Sequence, residues 1–303
     1  MKPAELLFGL YPVLPTPFGA DENIDEAGFR AVIRNNLEAG VEGLMFPGFA
    51  SEFHKLRNGE RLELAQALLE ETSGDVSTAA VLSVPDHSTR VAQESAEKYV
   101  EMGADCINIL PPFFMSPPQA QIVQHLSSVM GAIANTPVIV QLAPAQTGSS
   151  LSVEDFKDLQ QRHPNFVGIK VESVPPGPVV SKIKEHLPEV KCLVGYAGIH
   201  MMDALDRGAH GVQPGASFTA LYRHIFQLLA AGETVTADLF HSRMLSYLSY
   251  WMTSPELIVQ VEKRIGFLRG LHATDVCRRP GRPLDEWESR SAGRFIAEFS
   301  PYL

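Results

Sequence analysis

The sequence predicts a (β/α)8 barrel followed by a C-terminal helical extension. Short apolar runs alternate with longer amphipathic runs, and eight strand-then-helix pairs precede residue 231, which is the number that such a barrel requires. The apolar runs carry almost no charge, as expected of parallel strands that are buried on both faces. A chain of 303 residues has room for one barrel, which takes about 250 residues, and for additional helices.

The predicted elements follow one another in a regular order. The strands span residues 9–14, 43–46, 77–82, 106–110, 138–141, 167–171, 192–194 and 211–213. The helices between them span residues 26–38, 60–71, 90–102, 119–134, 153–161, 179–187, 201–207 and 216–230. Gly40, Gly103 and Gly208 each follow a predicted helix, and we expect them to end it in the left-handed conformation. Any α/β protein contains such caps, so the number of units is what favours a barrel over an open sheet.

The strand pattern stops after about residue 231. Three further helices are predicted at residues 236–250, 255–267 and 283–299, with prolines at or near the start of the second and third. We therefore expect a catalytic barrel domain at residues 1–231 and a helical extension at residues 232–303.

The composition excludes several classes of protein. The 25 basic residues are outnumbered by 35 acidic ones, which argues against a nucleic-acid or anionic-membrane surface. Three cysteines are too few for a disulfide framework and favour a reducing compartment. The sequence shows neither a secretory signal nor an apolar run long enough to span a membrane, so we expect a cytoplasmic protein.

Residues 106–153 contain no Asp, Glu, Lys or Arg. A helix that faces water normally carries charge, whereas the cores of subunit interfaces are depleted in charge. The predicted helix at 119–134 is therefore a candidate interface, and a polar face covered by glutamines is the alternative explanation.

The predicted sixth strand carries the most reactive pair of side chains. Lys170 lies in an apolar run, where burial disfavours its charged form and leaves an amine able to attack a carbonyl. Because strand side chains alternate, Lys170 and Glu172 point to the same side, with Gly168 below them. The residues alone leave two explanations equally open: a reactive amine beside a carboxylate, or an ion pair that closes the barrel. No phosphate loop, nucleophile elbow or metal-ligand spacing competes, so we expect no cofactor and no metal.

Five segments together resemble the dihydrodipicolinate synthase / N-acetylneuraminate lyase family of Schiff-base lyases. They lie at or after the first, second, fourth, fifth and sixth predicted strands, at residues 13–18, 48–52, 110–114, 143–148 and 168–170. The resemblance implies that Lys170 forms an imine with the carbonyl of a 2-oxo acid. It also implies a homodimer or homotetramer.

The sequence departs from the synthases of this family at several positions. The resemblance places Gln141 where the synthases and sialic acid lyases have a tyrosine that works on proton transfer. Phe49 and Ala50 replace two threonines, and Phe114 replaces another tyrosine. Gln146 replaces the arginine that receives the second substrate of the synthases. We therefore do not expect synthesis of dihydrodipicolinate.

A subgroup of the family fits these departures better. Residues 140–144 read Val-Gln-Leu-Ala-Pro, residues 51–52 read Ser-Glu, and Lys170 is followed by Val and Glu172. This pattern is similar to that of the 2-keto-3-deoxy-pentonate dehydratases, such as 2-keto-3-deoxyarabonate dehydratase. The likeness implies dehydration of a 2-keto-3-deoxy sugar acid, and Glu172 is the candidate group that shuttles protons.

The remaining candidate residues would bind substrate. The substrate carboxylate would lie on the backbone N–H groups of Ala50 and Ser51 and on the Ser51 hydroxyl, although a helix N-cap explains Ser51 equally well. Gln141 would bind a substrate hydroxyl, with a strand-end hydrogen bond as the alternative. Gly195 and Gln213, at the ends of the last two strands, line the pocket or belong to the scaffold.

Two other functions remain open. One is a lyase that uses the same imine for aldol or retro-aldol chemistry with pyruvate, as an N-acetylneuraminate lyase or a dihydrodipicolinate synthase does. The other is a non-catalytic barrel that binds a ligand, against which the presence of both Lys170 and Glu172 argues.

Overall fold

The computed structural model describes residues 7–303 and confirms the (β/α)8 barrel with C-terminal helices. Its eight strands are β1 Gly9–Leu10, β2 Gly43–Phe46, β3 Ala79–Val84, β4 Cys106–Ile109, β5 Val138–Leu142, β6 Phe166–Val171, β7 Lys191–Val194 and β8 Gly211–Val212. They form one sheet in the order β1-β8-β7-β6-β5-β4-β3-β2. From β2 to β8 each strand lies beside the strand that precedes or follows it in the chain, and β1 lies beside β8, as the barrel topology requires.

Helices connect the strands throughout the described part of the chain. They are α1 Glu26–Glu38, α2 Asn58–Thr72, α3 Thr89–Met102, α4 Gln119–Ala132, α5 Pro144–Thr147, α6 Val153–Arg162, α7 Gly177–His186, α8 Met201–Asp206, α9 Thr219–Ala230, α10 Thr234–Trp251, α11 Pro255–Leu268 and α12 Glu286–Phe299. Among these described helices, none is both long and apolar enough to span a membrane.

Local capping explains where several helices begin and end. Asp25 accepts a hydrogen bond from the Gly28 N–H at the start of α1, and Asp285 does the same for Glu288 at the start of α12. The Asp285 cap is why α12 begins at Glu286 rather than at residue 283 as the sequence predicts. Gly103, which follows α3, has a φ of 105°, as predicted for a glycine that ends a helix.

The first strand is shorter than predicted. Only Gly9–Leu10 forms a strand, and beyond it Val13 makes isolated parallel bridges to Met45 and Gly215. Pro12 and Pro15 lack the N–H groups that a continuous ladder needs. The predicted boundary near residue 231 between barrel and extension stays a prediction.

The described residues fall into two compact units. The first contains residues 7–9 and 79–213. Its strands β3 to β8 pair in parallel, and the register places Ser83 opposite Asn108 and Gln141 opposite Lys170. The second unit contains residues 10–78 and 214–303, including β2, α1, α2 and the helices α9 to α12.

Candidate active site

In the first unit, four neighbouring strands carry a row of buried polar side chains. These strands are otherwise apolar, and each of the polar residues is at most 8% exposed. The row consists of Ser83 on β3, Asn108 on β4, Gln141 on β5, and Lys170 and Glu172 on or just after β6. Buried polar groups destabilise a fold unless they are hydrogen-bonded, so their contacts with one another decide what the row can do.

Lys170 and Glu172 lie side by side, as the alternation of strand side chains predicts. The Lys170 ammonium nitrogen Nζ is 3.3 Å from Glu172 Oε1. Lys170 is 3% exposed, so the lysine is withdrawn from water and its charged partner is this carboxylate. The arrangement places an amine beside a group that can accept or donate a proton.

The second oxygen of Glu172 is held by Gln141. Gln141 Nε2 donates a hydrogen bond of 2.6 Å to Glu172 Oε2. Gly195, which follows β7, provides the space for this carboxylate: a Cβ at that position would lie 2.6 Å from Glu172 Cγ and 2.8 Å from its Cδ. The predicted site residues Lys170, Glu172, Gln141 and Gly195 therefore form one cluster.

Two residues that the sequence analysis missed extend the cluster. Asn108 Nδ2 donates to Gln141 Oε1 at 3.1 Å and to Ser83 Oγ at 2.8 Å. A polar residue within the apolar run of β4 was a usable signal, because the same argument identified Lys170 on β6. Both polar atoms of the Gln141 amide are thus occupied by protein groups.

Gln213 lies at the end of β8, as expected. Its backbone N–H donates to the Val194 carbonyl at 2.8 Å, and the residue is 2% exposed. This backbone bond continues the pairing of β7 with β8.

Ala50 and Ser51 belong to the second unit, in the short 3-10 helix Phe49–Ser51. The Ser51 hydroxyl donates to the Leu14 carbonyl and accepts from the Gly48 N–H at 2.9 Å. The Ser51 N–H donates to the Gly48 carbonyl at 3.0 Å. These contacts stabilise the turn after β2, and carboxylate binding by Ala50 and Ser51 stays a prediction.

A buried ionic cluster follows this turn and was not found from the sequence. Lys263 on α11 is 0% exposed and donates to Glu52 Oε1 and to the Val276 carbonyl, the latter at 3.0 Å. Lys55 Nζ lies 2.9 Å from the other oxygen of Glu52. Burial lowers the pKa of Lys263 below its usual range. Glu52 has a φ of 54°, a left-handed conformation that the two lysine contacts hold in place.

The three cysteines lie in surroundings that keep them protonated. Burial raises the pKa of Cys106 and raises the pKa values of Cys192 and Cys277 to about 12. A thiolate is the reactive form of cysteine, so these thiols are poor nucleophiles near neutral pH. Cys106 on β4 and Cys192 on β7 are fully buried and fill the core as small apolar residues.

The described residues form a (β/α)8 barrel with a buried lysine on β6 and a carboxylate directly after that strand. The model of the dihydrodipicolinate synthetase family matches residues 7–298, and the chain belongs to that family. The family resemblance inferred from the sequence is confirmed. The related proteins are named as synthases and an aldolase, and the chain is an enzyme of this Schiff-base lyase class.

Two synthases illustrate the relationship. The chain is 27% identical over 295 residues to the 4-hydroxy-tetrahydrodipicolinate synthase of Xanthomonas campestris, covering 96% of this chain and 94% of that one. It is 30% identical over 170 residues to the enzyme of that name from Salinibacter ruber. That match spans about half of each chain, 56% of this one and 55% of the other.

A third relative is YagE of Escherichia coli, whose name provisionally describes a 2-dehydro-3-deoxy-D-gluconate aldolase. The sequences are 26% identical over 292 residues, covering 94% of this chain and 95% of YagE. The crystal structure of YagE in complex with pyruvate superimposes with a TM-score of 0.88 and covers 97% of this chain and 99% of that one. The structural match has 24% identity and supports the fold.

Proposed function

We propose that the protein dehydrates a 2-keto-3-deoxy sugar acid through an imine on Lys170. The observation that carries this proposal is the buried pair of Lys170 and Glu172, 3.3 Å apart, with the Gln141 amide on the second carboxylate oxygen. A glutamine amide does not titrate near neutral pH. Within this cluster, Glu172 is therefore the group next to Lys170 that can carry a proton.

The reaction begins when Lys170 passes a proton to Glu172 and its free amine attacks the C2 carbonyl of the substrate. Glu172 returns that proton to the carbinolamine hydroxyl, which leaves as water. The product is a protonated imine, which withdraws electrons and acidifies the hydrogens on C3. Removal of one C3 proton gives an enamine. The enamine electrons then form a double bond between C3 and C4 while hydroxide leaves C4, and hydrolysis of the conjugated imine frees Lys170.

Glu172 performs the proton transfers in this proposal. Its carboxylate takes the C3 proton and delivers it to the hydroxyl that leaves C4 as water, so the carboxylate is restored at the end of the step. The Gln141 hydrogen bond on Oε2 fixes the carboxylate while Oε1 faces Lys170.

An aldol or retro-aldol reaction with pyruvate is the second candidate, and the similarity to YagE favours it. It uses the same imine and breaks the C3–C4 bond instead of the C4–O bond. Incubation with a panel of 2-keto-3-deoxy acids separates the two reactions. Dehydration gives one product that has lost water, whereas retro-aldol cleavage gives pyruvate and an aldehyde in equal amounts.

Borohydride trapping tests the imine directly. Pyruvate and borohydride together should add mass to the peptide that contains Lys170. Lys170→Ala should abolish both labelling and turnover while the protein remains folded. The exposed Lys98 on α3 provides the control, because Lys98→Ala should label as the parent does. Labelling that survives in Lys170→Ala would show that the nucleophile is another residue.

Deuterium exchange into the pyruvate methyl group tests the role of Glu172. This exchange reports removal and return of the C3 proton in the imine. In Glu172→Gln, imine trapping should persist while exchange falls by about a hundredfold, the usual scale for loss of a general base. Near-normal exchange in Glu172→Gln would reduce Glu172 to a structural partner of Lys170.

We also propose a homodimer or homotetramer. The exposed face of α4 presents glutamines and no charged side chain, and Phe114 in the preceding loop is 72% exposed. Depletion of charge together with exposed aromatic surface is typical of the core of a protein interface.

A further inference from the structure

We propose that Asn108 is a positioning residue that determines which end of the Gln141 amide faces Glu172. The inference rests on the proposed role of Glu172 in proton transfer. Asn108 acts through Gln141, because it donates a hydrogen bond to the Gln141 amide, which in turn donates to Glu172.

The orientation of Gln141 follows from its neighbour on β6. An ionised carboxylate only accepts hydrogen bonds, so the amide must turn its NH2 group toward Glu172. The 2.6 Å contact from Gln141 Nε2 to Glu172 Oε2 has this orientation. The carbonyl end of the amide, Oε1, then faces β4 and needs a donor there.

Asn108 supplies that donor. Its Nδ2 group carries two hydrogens, one for Gln141 Oε1 at 3.1 Å and one for Ser83 Oγ at 2.8 Å. A reversed Asn108 amide would place two carbonyl oxygens against each other and would disfavour the orientation that serves Glu172. The amides of Asn108 and Gln141 therefore hold each other in one of two alternative arrangements.

The cost of this arrangement is visible at the other end of Asn108. Asn108 is 0% exposed, and its Oδ1 atom accepts no hydrogen bond from any residue that the structure describes. An unpartnered buried acceptor destabilises a fold by about 1–3 kcal/mol. The favourable hydrogen bonds of Asn108 are therefore those of its Nδ2 group, which serves Gln141 and Ser83.

The consequence for Glu172 is geometric and electrostatic. With Oε2 fixed by Gln141, Oε1 is the oxygen that faces Lys170 at 3.3 Å. Of the neighbouring residues Lys170, Gln141 and Gly195, Lys170 is the charged one. Strand β5 contributes the neutral Gln141 amide, and Gly195 after β7 has no side chain. Reversal of the Gln141 amide would remove a donor and put a carbonyl oxygen against the carboxylate.

Asn108→Asp tests the proposal most sharply. In its ionised form the introduced carboxyl repels Gln141 Oε1 and attracts its NH2 group, so the Gln141 amide turns over and presents its oxygen to Glu172. Ionisation of Glu172 then becomes less favourable. The acidic limb of the pH profile for deuterium exchange into pyruvate should move to higher pH by about one unit or more.

Asn108→Leu is the second variant, since leucine has a similar shape and introduces no buried charge. This variant removes the donor to Gln141 Oε1 without imposing the reversed orientation. Exchange should fall by about tenfold, the effect expected from the loss of one hydrogen bond. Asn165→Leu is the matched control. Asn165 is another buried asparagine, and its Nδ2 donates to the carbonyls of Met130 and Ile133 rather than to the Gln141 amide. Exchange by the folded variant should stay within about twofold of the parent.

Imine trapping with pyruvate separates failure of the proposed function from failure of the positioning role of Asn108 alone. If trapping in the parent does not depend on Lys170, or if Glu172→Gln keeps the acidic limb, the proposed function fails and the role of Asn108 fails with it. If both requirements hold, folded Asn108→Asp and Asn108→Leu proteins that trap pyruvate and exchange like the parent overturn the positioning role alone. Should Asn108→Asp not fold, Asn108→Leu decides.

Discussion

Glu262 on α11 provides a quantitative test of the way burial sets protonation in this protein. The residue is 3% exposed, and its Oε2 accepts a hydrogen bond of 3.0 Å from the Ser217 N–H. Burial raises the pKa of Glu262 to about 7, although the Ser217 bond and the charge of Arg269 act in the opposite direction. We expect Glu262→Gln, which keeps the shape and removes the titration, to change how stability depends on pH.

The sign follows from the order in which the two states lose the proton. In the unfolded chain the carboxyl titrates near its ordinary value of 4.5, whereas in the folded protein it titrates at about 7. The folded state therefore binds the proton more tightly, and this contribution to stability is complete below about pH 4.5 and is lost as the pH rises through about 7. At 1.36 kcal/mol per pKa unit, the difference amounts to about 3 kcal/mol.

The assay is urea unfolding of the parent and of Glu262→Gln at pH 5 and at pH 8. Other titrating groups affect both proteins equally and cancel in the comparison. Between the two pH values the parent should lose about 2–3 kcal/mol more unfolding free energy than the variant. Glu97 on α3 is exposed, and Glu97→Gln is the control that should keep the pH dependence of the parent.

Equal pH dependence in the two proteins would contradict a raised pKa of Glu262. If Glu262→Gln and the parent lose the same unfolding free energy between pH 5 and pH 8, the folded protein does not hold a proton on Glu262. Burial would then not control the ionisation of this carboxyl, and the ionised form would have to be stabilised by Ser217 and Arg269.

Three further predictions test other parts of the structure. Gly195→Ala should displace the Glu172 carboxylate and lower deuterium exchange into pyruvate by about a hundredfold while imine trapping persists; unchanged exchange would contradict the close approach. Lys263→Met should reduce the unfolding free energy by about 3–5 kcal/mol, because Glu52 keeps a buried charge with one partner fewer. Adding Glu52→Gln should recover most of that loss, and a lone Lys263→Met variant as stable as the parent would contradict the buried ion pair. Sedimentation at micromolar concentration should show a dimer or tetramer that dissociates when glutamates replace the glutamines of α4, and a monomeric parent would exclude this interface.

The helices and strands were largely predictable because their signals are local. Helix α1 has the predicted bounds Glu26–Glu38, since its Asp25 cap and its apolar spacing lie within the same short segment. The ends that moved also have local causes, namely the Asp285 cap at α12 and the prolines that shorten β1. The Lys170–Glu172 pair was predictable for the same reason, because residues two apart on a strand share a face.

The rest of the site depends on how distant segments align. The contact between Ser83 and Asn108 exists because β3 and β4 pair in one register, and a shift of one strand by one residue would turn its side chain to the other face, away from its partner. Lys263 reaches Glu52 across 211 positions of the chain, and no spacing rule connects a helix near the C-terminus with a turn after β2.

The order of strands and helices, the barrel and the candidate lysine follow from the sequence, because backbone geometry and side-chain period act over a few residues. The family follows from five short motifs. Which polar side chains meet depends on tertiary packing, which gives Glu172 the Gln141 amide as a second partner, Gln141 the donor of Asn108, and Glu262 a site where burial raises its pKa. Hydrogen bonds and ionisation depend on distances of about 3 Å and on the exclusion of water. Both are set only when strands and helices far apart in the chain pack against one another.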